Sequence, residues 1–246
     1  MGMLTIRSLA VALMIVGWFD AAVPAVAQPV RSYDLALVLA VDCSGSVDGG
    51  EYRIQIDGIA AAFRDPEVIA AAISGPNRKI IVNLMAWGDP DYQKFASGWF
   101  EISSPQEAEI FARMADRFEY RTGGGTGIGI AMAYGIALIE NSNFVTLRKV
   151  IDVSGDGIES YEIRPPKFLL PDAHRLRIKA GIVVNGLAIM TDDPGLDAYY
   201  RENVAGGPGS FVMDIDDYRD YPESIKLKLL REIRPLTASL EIDNAR

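Results

Sequence analysis

One stretch constrains this chain more than any other: residues 34–46, Asp-Leu-Ala-Leu-Val-Leu-Ala-Val-Asp-Cys-Ser-Gly-Ser. The unbroken apolar run over 35–41 has the length and aliphatic composition of a strand buried on both faces of a parallel sheet. Such a strand needs helices on either side of it, which commits the chain to an α/β architecture. The run stops abruptly at Asp42, Ser44 and Ser46, three oxygen-bearing side chains at alternate positions in a loop tightened by Gly45, with a helix following from about Gly50. In open α/β sheets ligands bind in the crevice beyond the carboxyl ends of the central strands, so the most concentrated chemistry falls where the architecture makes room.

The rest of the chain alternates strand and helix patterns. Tyr52, Ile56, Ile59 and Phe63 fall on one helical face within 51–64. Residues 80–87 are a second apolar strand ending at Gly88-Asp89-Pro90, and the more polar 93–102 suits an antiparallel edge strand paired with it through a short hairpin. A serine cap, an early proline and first-turn acids open a helix over about 105–118. The glycine-rich 122–129 feeds a small-residue helix over 130–139, and 148–157 forms a strand whose carboxyl end again carries a carboxylate between glycines. After a loop with Pro165 and Pro166 come a helix over 169–180, a buried strand over 181–189, a short helix around 198–203, a last strand over 210–213 and a closing amphipathic helix over 218–234. This order predicts a doubly wound α/β domain over 34–234: a mostly parallel six-stranded sheet with one antiparallel edge strand and helices on both faces.

Before that domain, Arg7, an apolar stretch over 9–19 and Ala25-Val26-Ala27 have the three parts of an export signal with cleavage near Ala27. The stretch is interrupted by Asp20 and falls short of the about 20 apolar residues that span a bilayer. The expectation is a periplasmic or secreted protein with no stable membrane insertion after cleavage, followed by a C-terminal tail over 235–246. The signal holds one Arg and one Asp, so its loss leaves the net charge at −9. That acidity argues against nucleic acid as a partner. Cys43 is the single cysteine, so no internal disulfide forms and stability must come from packing.

Three loops therefore meet at strand or helix ends: Asp42 with Ser44 and Ser46, Thr126, and Asp156. Two carboxylates and three hydroxyls with no soft ligand suit Mg²⁺, with Mn²⁺ or Ca²⁺ also compatible, and do not suit zinc. With only two carboxylates such an ion keeps residual positive character, which favours capture of an acidic group from a partner. The loop over 123–129 fits neither phosphate-binding glycine pattern and has no lysine. Asp152, inside a strand, reads as a buried hydrogen-bonded acid, Cys43 as a packed small residue, His174 as part of a solvated helix face, and the acidic 192–197 loop as solvated charge.

Asp42-Cys43-Ser44-Gly45-Ser46, Thr126 in Gly-Gly-Gly-Thr-Gly and Asp156 in Ser-Gly-Asp-Gly resemble the metal-ion-dependent adhesion site of von Willebrand factor type A domains, in element order as well as in residues. The surrounding sequence, including Trp87-Gly88, Asn185-Gly186-Leu187, Tyr199-Tyr200 and the 206–209 glycines, resembles an exported bacterial subfamily of unknown function. The resemblance implies an intact site in which the two serines and the threonine bind the metal directly, the two aspartates directly or through water. It implies a protein-binding module that captures an Asp or Glu carboxylate of a partner through the cation. The alternatives are a metal-dependent phosphoester hydrolase with Asp42 or Ser44 as nucleophile, or an assembly subunit whose metal is purely structural. A hydrolase would need a general base and a cation for the transferred group, and the sequence offers neither near the three loops, so no enzyme is expected.

Overall fold

The first strand sits at the centre of the sheet and is paired along nearly all of its length on both sides. In a computed structural model describing residues 31–91, 94–119, 124–161 and 168–234, β1 (Arg31–Asp42) runs parallel to β2 (Ile80–Trp87) on one side and to β5 (Phe144–Gly155) on the other. Its residues 35–41 are essentially fully buried, as an aliphatic strand covered on both faces requires. The expected export signal, the tail over 235–246 and Pro165-Pro166 lie outside the described residues.

The remaining strands are β3 (Phe95–Ala96), β4 (Phe100–Ile102), β6 (Val183–Ile189) and β7 (Val212–Ile215). The sheet order is β3-β2-β1-β5-β6-β7, with β4 also on β2. The antiparallel edge expected over 93–102 is present, but it breaks in two, which makes seven strands rather than six. The cause is local. Met85 pairs with Ala96 and Val82 with Phe100, so the edge strand carries one residue more than β2 between these pairs. Gly98, at φ +81°, absorbs the extra residue as a bulge, and Ser97 Oγ accepts the Leu84 N–H at 3.0 Å in place of a ladder bond.

Helices α1 (Gly49–Arg64), α2 (Pro66–Ala72), α3 (Pro105–Ala115) and α7 (Tyr221–Ile233) cover one face, over a core of Leu35, Leu37, Leu39, Ile56, Phe63, Phe111 and Leu229. Helices α4 (Ile128–Glu140), α5 (Leu170–Ala180) and α6 (Leu196–Asn203) cover the other, around Val38, Ala40, Trp87, Met132, Ile151 and Tyr200. α1 starts on a capping box: Asp48 accepts from the Gly50 and Glu51 N–H groups while Glu51 reaches back to the Asp48 N–H. The short α2, which the sequence reading passed over, begins on an Asp65 cap with Pro66 in its first turn. The closing helix opens with a 3-10 turn over Tyr218–Asp220.

α7 is tied to β5 by polar contacts at three levels. The Tyr221 hydroxyl lies 3.1 Å from Ser154 Oγ, Lys228 Nζ lies 2.6 Å from Asp152 Oδ1, and Arg148 donates to the carbonyls of Glu232 and Ile233 at 2.8 Å. Asp152 is buried as expected, with a partner the sequence did not reveal, because Lys228 lies far along the chain. Lys228 also reaches Glu232 Oε1 at 2.7 Å, and Asn185 donates to the same oxygen at 2.8 Å. One ammonium thus faces two buried carboxylates, and burial together with the Glu232 charge raises the Asp152 pKa above the usual carboxylate range. Removing the cation leaves both acids without their shared counter-charge. Lys228→Ala is expected to lower stability by about 3–5 kcal/mol in denaturant unfolding, far more than the exposed-pair variant Arg219→Ala.

Candidate functional site

The winding reverses between β1 and β5: β1 is followed through α1 and α2 by β2 on one side, while β5 and β6 extend the sheet on the other. The strand ends part there and leave a crevice at their carboxyl ends. Asp42 is the last residue of β1, and Asp156 directly follows β5.

The loop after β1 turns back at once. The Ser44 N–H donates to Asp42 Oδ1 at 2.7 Å, and Gln55 on α1 donates to the Asp42 carbonyl at 3.2 Å. The turn brings Ser44 Oγ to 3.3 Å from Ser46 Oγ, and Ser46 Oγ donates to Asp156 Oδ1 at 2.6 Å. Asp156 Oδ2 accepts from the Tyr218 hydroxyl at 3.0 Å. Thr126 comes from the glycine loop before α4, held by a reciprocal backbone pair with Ser160 at 3.0 Å each way. Its Oγ1 faces Gly157, where an added Cβ would stand 3.4 Å away. Of the five side chains singled out in the sequence, Asp42, Ser44, Ser46 and Asp156 are linked by these contacts, and Thr126 stands beside Gly157, the residue after Asp156.

Close backbone approach makes this arrangement possible. The Gly45 N–H donates to the Gly124 carbonyl at 2.9 Å, and a Cβ on Gly45 would stand 2.9 Å from that oxygen. Asp89, two residues beyond the end of β2, accepts the Gly125 N–H through Oδ2 at 2.9 Å, and the Gly88 carbonyl accepts from Gly127 at 3.0 Å. The glycines thus let three loops press against one another, a role distinct from cradling phosphate.

Electrostatically the crevice is unbalanced. Asp42 is wholly buried, and its pKa is pushed up to about 7, first by burial and then by the neighbouring Asp156 charge. Asp42 Oδ2 is buried without a hydrogen-bond partner. Among those residues no three His, Cys, Asp or Glu side chains gather as a metal cluster. The donors are instead two carboxylates with hydroxyls, and an orphaned buried carboxylate oxygen in that set fits a hard divalent cation.

Several supporting residues escaped the sequence reading. Gln55 was legible as a polar residue on the buried stripe of α1. Asp89 was noted only as a strand end, and Tyr200 only as part of a dipeptide, whereas its hydroxyl is buried without a partner and faces Gly155. Tyr218 carried no signal, since its partner Asp156 is distant in the chain. Other readings sort as follows. Cys43 is buried, with Sγ 3.1 Å from the Trp87 carbonyl. The 192–197 loop carries exposed charge, with Asp197 paired to Arg201. His174 is not on a solvated face: Nε2 lies 2.8 Å from the Asn203 carbonyl, and Nδ1 accepts from Arg177 Nε at 3.2 Å, joining α5 to α6.

The sequence profile of a family described as a protein of unknown function, DUF1194, matches residues 32–237. None of the curated proteins matches the chain. Among solved structures, the fold is similar to the pilus adhesin SpaC from Lactobacillus rhamnosus GG, with 15% identity, a TM-score of 0.56 and coverage of 84% of this chain and 31% of that one. It is similar to proximal thread matrix protein 1 from the mussel byssus, with 14% identity, TM-score 0.54 and coverage of 83% and 47%. It is also similar to the vWF domain of a type V pili tip protein from Porphyromonas gingivalis, with 9% identity, TM-score 0.52 and coverage of 82% and 97%. The chain spans about a third of the adhesin and about half of the byssus protein. At these identities the likeness concerns the fold, which is that of von Willebrand factor type A domains.

Gly155 gives a direct test of how tightly the crevice is packed. A methyl group there would stand 2.6 Å from both Asp42 Oδ2 and the Tyr200 hydroxyl and 3.2 Å from Trp87. Gly155→Ala is expected to lower stability by about 1–3 kcal/mol in denaturant unfolding, since all three neighbours are buried and none can swing into solvent.

Proposed function

Taking as premise that the chain belongs to the DUF1194 family and has a von Willebrand factor type A fold, we propose that it is an exported adhesion or interaction module working through a divalent cation. The ion is Mg²⁺ in this reading, with Mn²⁺ or Ca²⁺ as compatible substitutes, held by Asp42, Ser44, Ser46, Thr126 and Asp156. The observation that carries the reading is the gathering of Ser44 and Ser46 with two neighbouring carboxylates, Asp42 and Asp156, the first of which has an orphaned buried oxygen. A cation bound there would relieve the repulsion and give Asp42 Oδ2 a partner. Because the donor set brings only two negative charges, the bound ion would remain attractive to an anion, and the partner group we assign is an Asp or Glu carboxylate.

The residues of the chain divide the work. Asp42 and Asp156 supply charge, while Ser44, Ser46 and Thr126 supply neutral oxygens. Gln55 and Tyr218 hold the two acids in place from α1 and from the turn before α7. The adhesin and pilus-tip proteins of like fold agree with an interaction role and with a place outside the cell. The hydrolase alternative gains nothing from His174, which is engaged with Asn203 and Arg177.

Titration calorimetry of the metal-stripped protein with Mg²⁺, Mn²⁺ and Ca²⁺ tests the site. One ion is expected to bind per chain, and binding is expected to vanish in a folded Asp42→Ala/Asp156→Ala variant. At an ion concentration 100 times the dissociation constant the parent gains about 2.7 kcal/mol of stability, read as a rise in unfolding midpoint that the variant lacks. If neither protein binds any of the three ions, the loops are strand-to-helix turns and the reading fails.

Ser46→Ala separates adhesion from a purely structural metal. The variant is expected to stay folded, with thermal unfolding within a few degrees of the parent, and to lose capture of a carboxylate-bearing partner. Unfolding of the variant would instead point to the structural role.

A further inference from the structure

Two glycines on neighbouring strands open a seat for one tyrosine. Tyr200 stands on α6, and its ring lies against Gly186 of β6, where an added Cβ would be 2.8 Å from the ring carbon Cδ1. Its hydroxyl reaches Gly155 at the end of β5, where an added Cβ would be 2.6 Å from that oxygen. A side chain at either position would push the ring off the sheet. Val41 pairs with Ser154 and Val153 with Gly186, so Asp42, Gly155 and Gly186 fall on one face, the face that α6 covers. The ring therefore crosses β6 and β5 and points its tip at the carboxyl end of β1.

That tip is polar. Tyr200 is fully buried, and its hydroxyl has no hydrogen-bond partner. Asp42 Oδ2, also buried without a partner, is 2.6 Å from the same point above Gly155, so the two oxygens lie at most about 5 Å apart. A gap of that size is within reach of a hydrogen bond relayed by one water. The chemistry of the two is complementary, since a phenol keeps its proton near neutral pH and donates, whereas a carboxylate oxygen accepts. Trp87 closes the seat, and its nearest atom to that point is the ring carbon Cζ2 at 3.2 Å, which leaves the Tyr200 hydroxyl as the nearest donor. A phenylalanine would fill the same seat without burying an unpaired hydroxyl, so packing alone gives no reason for the oxygen.

We propose that Tyr200 is a positioning residue of the cation site: its hydroxyl is the hydrogen-bond donor to Asp42 Oδ2, through at most one water, and fixes the orientation of that carboxylate. The inference rests on the cation reading given above. With Oδ1 held by the Ser44 N–H at 2.7 Å and Oδ2 by Tyr200, the carboxylate is anchored at both oxygens. Oδ2 has two lone pairs, so it can accept the hydroxyl and face an ion at once. Carboxylates that ligate metals are held by such outer partners, whose loss weakens metal binding by about 10–100-fold. In this way α6, which contributes none of the five donors, governs the one acid that is wholly buried.

Tyr200→Phe tests this, because it keeps the ring on its two glycines and removes only the oxygen. Tyr199→Phe is the control, since the neighbouring hydroxyl accepts from the Glu159 N–H at 3.2 Å instead. In calorimetric titration with Mg²⁺, Tyr200→Phe is expected to bind about tenfold or more weakly than the parent, and Tyr199→Phe within about twofold of it. A second measurement needs no ion. With a chelator present, denaturant unfolding of the parent, Tyr200→Phe, Asp42→Ala and the double variant closes a double-mutant cycle, and the two substitutions are expected to be non-additive because each removes one half of the same contact. The proposal is overturned if Tyr200→Phe binds Mg²⁺ as the parent does, or if the cycle is additive. If the parent binds none of Mg²⁺, Mn²⁺ and Ca²⁺, the cation reading fails by itself, and the cycle still decides whether Tyr200 holds Asp42: coupled values keep the contact and additive values remove it.

Discussion

The structure depends on the pairing of β1 with a parallel strand on each side. A strand so placed has no free edge and two covered faces, and only an aliphatic run such as 35–41 can fill that position without unsatisfied polar groups. The same placement makes β1 the point where the winding of the sheet reverses. Helices leave in opposite directions on either side of it, and the carboxyl end of β1 lies where open α/β sheets form a crevice. Asp42 stands at that crevice, and the loops of Thr126 and Asp156 reach it from neighbouring elements.

Such a site puts like charges together, which a fold accepts only with support. Burial and then the neighbouring Asp156 charge raise the cost of ionising Asp42, and the hydrogen bond from the Ser44 N–H offsets part of it, while Asp156 accepts from Ser46 and Tyr218. What is not offset is concentrated on Asp42 Oδ2. The Lys228 cluster at the middle of the sheet is the contrasting case. There an ammonium from α7 faces Asp152 and Glu232, so the chain itself supplies the counter-charge. The two buried acidic pairs thus differ in kind: Asp152 and Glu232 share an ammonium from the chain itself, whereas Asp42 keeps a buried oxygen without a hydrogen-bond partner.

α7 links the two regions. Its first turns touch Ser154 and, through the preceding Tyr218, Asp156, while its last turn is held by Arg148. The helix therefore spans β5 from the crevice to the level of Arg148.

Much of this was legible in the sequence, because strand burial, helix periodicity and caps are local. The aliphatic run over 35–41 and the alternating elements identified the α/β class and the order of elements, and the motif after β1 pointed to serines that the structure links to Asp156. Contacts between distant residues were not legible. Nothing in residues 93–102 announced that Gly98 would shift the register by one and break the edge strand, since a bulge is defined only against its partner β2. His174 looked like a solvated residue because its neighbours in sequence are charged, whereas its partners are on α6. Gln55, Asp89 and Tyr218 became part of the site only when α1, β2 and the turn before α7 packed around it. By itself the sequence determined which residues can form a buried sheet and which oxygens sit at its strand ends, through side-chain chemistry and spacing. Only the tertiary structure decided which oxygens face one another and which acid finds a lysine, because those outcomes depend on chain segments brought together from far apart in the sequence, as Ser46 and Asp156 are, and Asp152 and Lys228.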